Sequence, residues 1–243
     1  MELKNKIVVV TGASSGIGKS ISKTLSKKGC IVALASRNTE KLLQVQKELP
    51  NETLVVKMDV SKSQSVAKGF KKIKEKYNRI DALINCAGIM PLSYIKNRHI
   101  DEWLETIDVN VKGTLRCIYE VLPNMKKQEC GHIVNITSVD GKELYKGGAV
   151  YGASKAALIA LSKALRMELS PEFNIRVTSI EPGTVDTDLR EDITDEELLE
   201  DKDYSGDEPK LEPQNIADAV MYVLSQPETV NVNELLIKPT GKS

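Results

Sequence analysis

Residues 7–18 read Ile7-Val8-Val9-Val10-Thr11-Gly12-Ala13-Ser14-Ser15-Gly16-Ile17-Gly18, a β-branched run that passes through three glycines into the amphipathic segment Ile17–Lys28. A strand, a glycine-rich turn and a helix in this order predict the opening unit of a parallel sheet flanked by helices. Glycine allows tight backbone angles and brings main-chain N–H groups close to an anion, which the positive end of the following helix dipole also favours. The spacing is G-x-x-x-G-x-G and not G-x-G-x-x-G, yet the requirement, close approach of backbone to a pyrophosphate, is the same. On this reading Gly12, Ser14, Ser15, Gly16, Ile17 and Gly18 form a dinucleotide-phosphate cradle.

The same alternation continues along the chain. Apolar runs at Ile7–Val10, Ile31–Ala35, Thr53–Met58, Ala82–Asn85, His132–Thr137, Ile175–Ile180 and Glu234–Ile237 predict strands buried on both faces. Helical patterns cover Ile17–Lys28, Lys62–Tyr77, Asp108–Met125, Tyr151–Leu169 and Pro213–Ser225, the last with a first-turn proline. No repeat or linker divides the 243 residues, so 1–243 is read as one α/β domain. The compositional break near 186–212 is read as a lid within it: Asp186 to Glu208 holds twelve acidic residues against Arg190 and Lys202, a run expected to be solvated.

Charge balances at 34 basic and 34 acidic residues, which points to neither nucleic acid nor a membrane surface as partner. From Leu3 to Thr39, however, there are seven basic residues and no acidic one, a half that favours an anion. Cys30, Cys86, Cys117 and Cys130 lack metal-ligand spacing, so no metal is expected. No signal peptide or membrane span is read, and the expected location is the cytoplasm, with reduced thiols.

The end of the second strand selects the nucleotide. An NAD site places a carboxylate there for the ribose 2′-hydroxyl. Here the chain reads Ala35-Ser36-Arg37-Asn38, and Arg37 offers a permanently charged donor fork to a 2′-phosphate, so NADP(H) is expected.

Tyr151 and Lys155 stand at i and i+4 on one helix face. A free phenol has a pKa of about 10, so Tyr151 needs nearby positive charge, from Lys155 and an oxidised nicotinamide, to act as general acid/base near neutrality. Ser138, 13 residues upstream at a strand end, is placed to hydrogen-bond and orient the substrate oxygen. His132 is read as structural and His99 as a solvated helix-entry residue; Met90, Leu144 and Tyr145 stand where a substrate pocket is expected, but apolar residues there are read at least as readily as packing and are not assigned to the site.

These motifs together resemble the short-chain dehydrogenase/reductase family along essentially the whole chain. Thr11 to Gly18 corresponds to its cofactor turn, Asp59-Val60 to its adenine contact, and Asn85-Cys86-Ala87-Gly88 to its N-N-A-G motif, with Cys86 replacing the second asparagine. Asn110 matches the asparagine that completes a tetrad with Ser138, Tyr151 and Lys155 and links the lysine to a proton-carrying water. Pro182, Gly183, Val185 and Thr187 match the segment covering the nicotinamide. The resemblance implies a seven-stranded doubly wound sheet, cofactor contacts from Asn85, Ala87 and Gly88 as well as from Tyr151 and Lys155, and a homotetramer or homodimer acting on a small-molecule alcohol or carbonyl.

Glu181-Pro182-Gly183 and the ending Val230-Asn-Val-Asn-Glu-Leu235 are similar to the branch of NADP-dependent 3-hydroxy acid dehydrogenases, which oxidise serine, allo-threonine and related acids. The acidic lid argues against an acidic carrier or a coenzyme A thioester. A broad carbonyl reductase and a non-catalytic NADP-sensing regulator are the alternatives.

Overall fold

Isoleucine, valine and leucine dominate the strands because both faces are covered: in β1 (Ile7–Thr11) all five residues are buried, and successive side chains enter different cores. Val8 and Val10 pack beneath α1 (Gly16–Lys27) and α8 (Pro213–Ser225) with Leu25 and Val220. Ile7 and Val9 face the opposite layer, where Phe70 of α3 (Ser63–Tyr77), Met125 of α5 (Gly113–Gln128) and Leu165 of α6 (Ala149–Phe173) meet.

The computed structural model describes residues 2–201 and 209–241. Seven parallel strands, completed by β2 (Ile31–Ser36), β3 (Thr53–Lys57), β4 (Ala82–Asn85), β5 (Gly131–Ile136), β6 (Ile175–Pro182) and β7 (Glu234–Ile237), pair in the order β3-β2-β1-β4-β5-β6-β7. The order reverses between β1 and β4, and in open α/β sheets the crevice at such a point, beyond the carboxyl ends of the strands, is where ligands bind. No described helix is long and apolar enough to cross a membrane.

Three local features differ from the sequence expectation. The short helices α2 (Thr39–Lys47) and α4 (Ile100–Thr106) were not foreseen, and α4 runs into α5 through a π-helical turn, Ile107–Lys112. The described part of the acidic run is packed: Asp188–Asp192 forms a 3-10 turn and Glu196–Glu200 the helix α7. Asp195, expected in solvent, is only 2% exposed and accepts from Tyr94 N (2.9 Å) and Asn97 Nδ2 (3.0 Å). Leu198 packs with Met90, Leu92, Tyr151 and Ile193 in a third apolar cluster. Residues 202–208 of the expected lid lie outside the described residues.

Candidate active site

A cavity of about 950 Å³ opens along the carboxyl ends of β1, β2, β4, β5 and β6. Arg37 lines one end and Ser138 the other. The strands that carry them, β2 and β5, are three strand spacings apart, about 14 Å, so a ligand touching both lies across the strand ends.

The β1–α1 turn is built for backbone approach. Gly12 has φ +68°, and a Cβ there would sit 2.9 Å from Ala87 Cα; a Cβ on Gly18 would sit 2.3 Å from Gly12 O. Thr11 Oγ1 accepts from both Cys86 N (3.0 Å) and Ala87 N (3.1 Å), which ties the loop after β4 to the turn. The first turn of α1 holds no acidic residue, and its Ser15 N-cap makes no side-chain hydrogen bond to it. Uncapped N–H groups at the head of a 12-residue helix, beside a turn with no room for a side chain at Gly12 or Gly18, fit a pyrophosphate.

At the adenosine end Arg37 is exposed, and Lys41, in the first turn of α2, lines the cavity beside it. Lys41 escaped the sequence reading because that reading placed no helix after Arg37. Burial raises the Asp59 carboxyl, but hydrogen bonds from the Ser61 hydroxyl and amide, with the charges of Lys62 and Arg37, outweigh it and leave the group below its ordinary range.

At the other end, β5 runs out to Ser138, whose extended backbone (φ −168°) leads into the 3-10 turn Val139–Gly141. Ser138 Oγ accepts from Asp140 N (3.1 Å) and hydrogen-bonds Tyr151. Tyr151 and Lys155, from the first two turns of α6, are each 6% exposed, with Lys155 Nζ 5.5 Å from the Tyr151 ring centre. Burial pushes the Lys155 amine down to about 8, although Cys86 and Asp140 pull the other way. Burial, then the charge of Asp140, pushes the Tyr151 phenol above its ordinary value, against the Ser138 hydrogen bond. Lys155 therefore does not by itself bring Tyr151 toward neutrality: Nζ donates to the Ile136 carbonyl (3.1 Å).

Asn110 sits in the π-helical turn, fully buried, and does not line the cavity. Its Oδ1 accepts from Ile89 N (2.9 Å), while Nδ2 donates to Ile89 O (3.0 Å) and Ser154 Oγ (3.1 Å). A Cβ on Gly88 would lie 3.2 Å from Asn110 Oδ1 and 3.7 Å from Lys155 Nζ, so the asparagine holds the loop that walls the lysine.

Of the other expected residues, Ser14, Ser15, Ile17, Val60, Ala87, Gly88, Pro182, Gly183, Val185 and Thr187 line the cavity, as do Met90, Leu144 and Tyr145. Gly16 and Asn85 do not. Gly16 faces Thr187, whose Cγ2 a Cβ would meet at 3.1 Å, and Asn85 Nδ2 donates to Asn135 Oδ1 (2.8 Å) inside the sheet. Asp140 and Arg190 also line the catalytic end and were not foreseen. His132 is buried, paired with Thr178 Oγ1 (2.8 Å) and held neutral by burial, which depresses it to about 3.

The sequence profile described as short chain dehydrogenase matches residues 6–198. An uncharacterised oxidoreductase of Staphylococcus epidermidis is 43% identical over 238 residues, spanning 98% of this chain and 99% of the relative. One of Listeria monocytogenes is 42% identical over 246 residues, spanning 100% and 99%. Among solved structures, the closed form of a serine dehydrogenase complexed with NADP+ superposes with TM-score 0.90 at 31% identity, covering 98% of this chain and 96% of that one. An alcohol dehydrogenase of the archaeon Thermococcus sibiricus, complexed with 5-hydroxy-NADP, gives 0.86 at 28% identity, covering 99% of each.

Proposed function

The chain belongs to the short-chain dehydrogenase family and is an oxidoreductase, and from that premise we propose that it transfers a hydride between NADP(H) and the CH–OH carbon of a small 3-hydroxy acid. The observation that carries the reading is one cavity with Arg37 and Lys41 at one end, the glycine turn between, and Ser138, Tyr151 and Lys155 at the other. The NADP+ and 5-hydroxy-NADP complexes of the two similar structures support the cofactor, and the serine dehydrogenase supports the substrate class.

When bound, the nicotinamide ring supplies the hydride acceptor or donor. The chain's own residues handle the proton and the geometry. Ser138 Oγ fixes the carbinol oxygen, and Tyr151 Oη takes its proton during oxidation or returns it during reduction. Lys155 holds the ribose and raises the local positive potential, while Asn110 acts through Ile89 by fixing the wall beside Lys155. Arg37, with Lys41, takes the 2′-phosphate, and Pro182, Gly183, Val185 and Thr187 cover the nicotinamide.

Exposed Tyr119 (76%) on α5 and Met167 (73%) on α6 support self-association through these helices, as a homotetramer or homodimer. Four free cysteines are in keeping with a reducing cytoplasm.

The test is absorbance at the reduced-nicotinamide band with NADP or NAD against 3-hydroxybutyrate, 3-hydroxypropionate, serine, allo-threonine and simple diketones. Turnover of hydroxy acids with NADP is expected, and Arg37→Ser should lower the NADP-over-NAD ratio by about tenfold or more, the loss of one charge-assisted contact. Turnover confined to NAD would remove the assignment of Arg37.

A further inference from the structure

Beside Ser138 the catalytic end holds an acidic side chain, Asp140, that neither gives nor takes the transferred proton. Asp140 lies two residues beyond Ser138 and donates its amide to Ser138 Oγ (3.1 Å); burial pushes its carboxyl above the ordinary range, against the influence of Ser138, Lys155, Arg190 and Tyr145. It lies within electrostatic reach of Tyr151 and Lys155 on one side and of Arg190 on the other. Arg190 comes from the turn Asp188–Asp192 and lines the same cavity. The walls around this pair are acidic: Glu143 is bound by Lys238 (2.6 and 2.8 Å), and Asp188, Glu191 and Asp192 add three further carboxylates.

Ser138, Tyr151, Asp140 and Arg190 line one cavity. A plain 3-hydroxy acid whose carbinol rests on Ser138 and Tyr151 would have Arg190 as the cation for its carboxylate, but would set only C–H groups against the Asp140 carboxylate. That contact displaces water from a charge and returns no hydrogen bond. The ligand also carries a net negative charge into an acidic mouth. An ammonium group on that carbon changes both: it donates to Asp140, and it makes the ligand a net-neutral zwitterion.

We propose that Asp140 is a specificity-determining residue that receives an ammonium group on the carbon next to the carbinol, paired with Arg190 for the carboxylate, so that the enzyme selects 2-amino-3-hydroxy acids over the same acids without nitrogen. The inference rests on the 3-hydroxy acid reading of this site and narrows it.

The test uses allo-threonine and 3-hydroxybutyrate, which share a carbon skeleton and differ by the 2-amino group. The readout is the ratio of their kcat/KM values with NADP in wild-type protein, Asp140→Asn and Arg190→Met. A general fault in proton transfer through Ser138 divides out of that ratio. Wild-type protein should prefer the amino acid by about tenfold or more, because a half-buried group made for a donor discriminates against a ligand lacking it. Asp140→Asn should lose most of the preference, and Arg190→Met should slow both acids while keeping it. Equal use of the two acids by wild-type protein, or a preference that survives Asp140→Asn, overturns the inference and leaves the proposed activity standing. The wild-type comparison decides the matter even where a variant does not fold. Silence on both acids overturns the proposed activity, and this inference with it.

Discussion

The two ends of the sheet bury charge in opposite ways. At the amino ends of the strands, Asp81 is 5% exposed and surrounded by donors: Ile7 N at 2.8 Å, Arg79 Nε at 3.1 Å and Lys6 Nζ at 3.3 Å. Nearby, Arg176 donates to the carbonyls of Gln226, Pro227 and Val230 at 3.1–3.4 Å. At the carboxyl ends, Lys155 is buried as deeply, but it donates to the Ile136 carbonyl where Arg176 has three carbonyls, and with Tyr151 it lines an open cavity, its amine pushed by burial down to about 8. One end completes its charges from within the chain. The other holds its groups in a state that a cofactor and a substrate complete, which is how reactive groups differ from structural ones.

Substitutions at the two ends should therefore fail in different currencies. Tyr151→Phe should cut turnover by about 10²- to 10⁴-fold, the usual range for a general acid/base. Its NADP affinity, read by quenching of protein fluorescence, should stay within a few-fold of wild type. A protein that only senses NADP would have no turnover to lose, and a collapse of binding would make Tyr151 part of the scaffold.

Asp81→Ala should do the reverse. It strands Arg79, Lys6 and the Ile7 amide, and should cost about 2–3 kcal/mol in urea unfolding. Turnover per folded molecule should be unchanged; if it falls, the two ends are coupled and the contrast fails.

The smallest effect lies in the pH profile. Hydroxy acid oxidation needs the deprotonated phenol beside a charged Lys155, so kcat/KM should rise with pH as Tyr151 loses its proton, while loss of the Lys155 charge, near 8, works against that rise. The negative charge of Asp140 raises both groups, so Asp140→Asn should move that limb toward lower pH. A limb that stays in place would show that Asp140 does not act on the proton transfer.

Much of this was legible because the governing constraints are local in sequence. The glycine turn, the i, i+4 pair Tyr151 and Lys155, and the doubly buried strands each follow from a few neighbouring residues. What escaped depends on neighbours distant in the chain. Asp195 reads as one more charge in an acidic run, yet it holds Tyr94 and Asn97, about a hundred positions earlier. Asp140 has no periodic signature, and only folding sets it against Arg190. The π-helical turn left no trace because widening one turn does not alter which residues are apolar.

That turn has a consequence for how this chain tolerates length changes. It carries one residue more per turn than the helices on either side, so losing a single residue between Ile107 and Lys112 would let α4 run into α5 as ordinary α-helix. Each residue advances the chain by about 100° around the axis, so the surviving helix would carry Asn110 or its replacement turned away from Ile89 and Ser154. Such a deletion would spare the rod and spoil its aim, an error of indexing that a circular dichroism spectrum would not register.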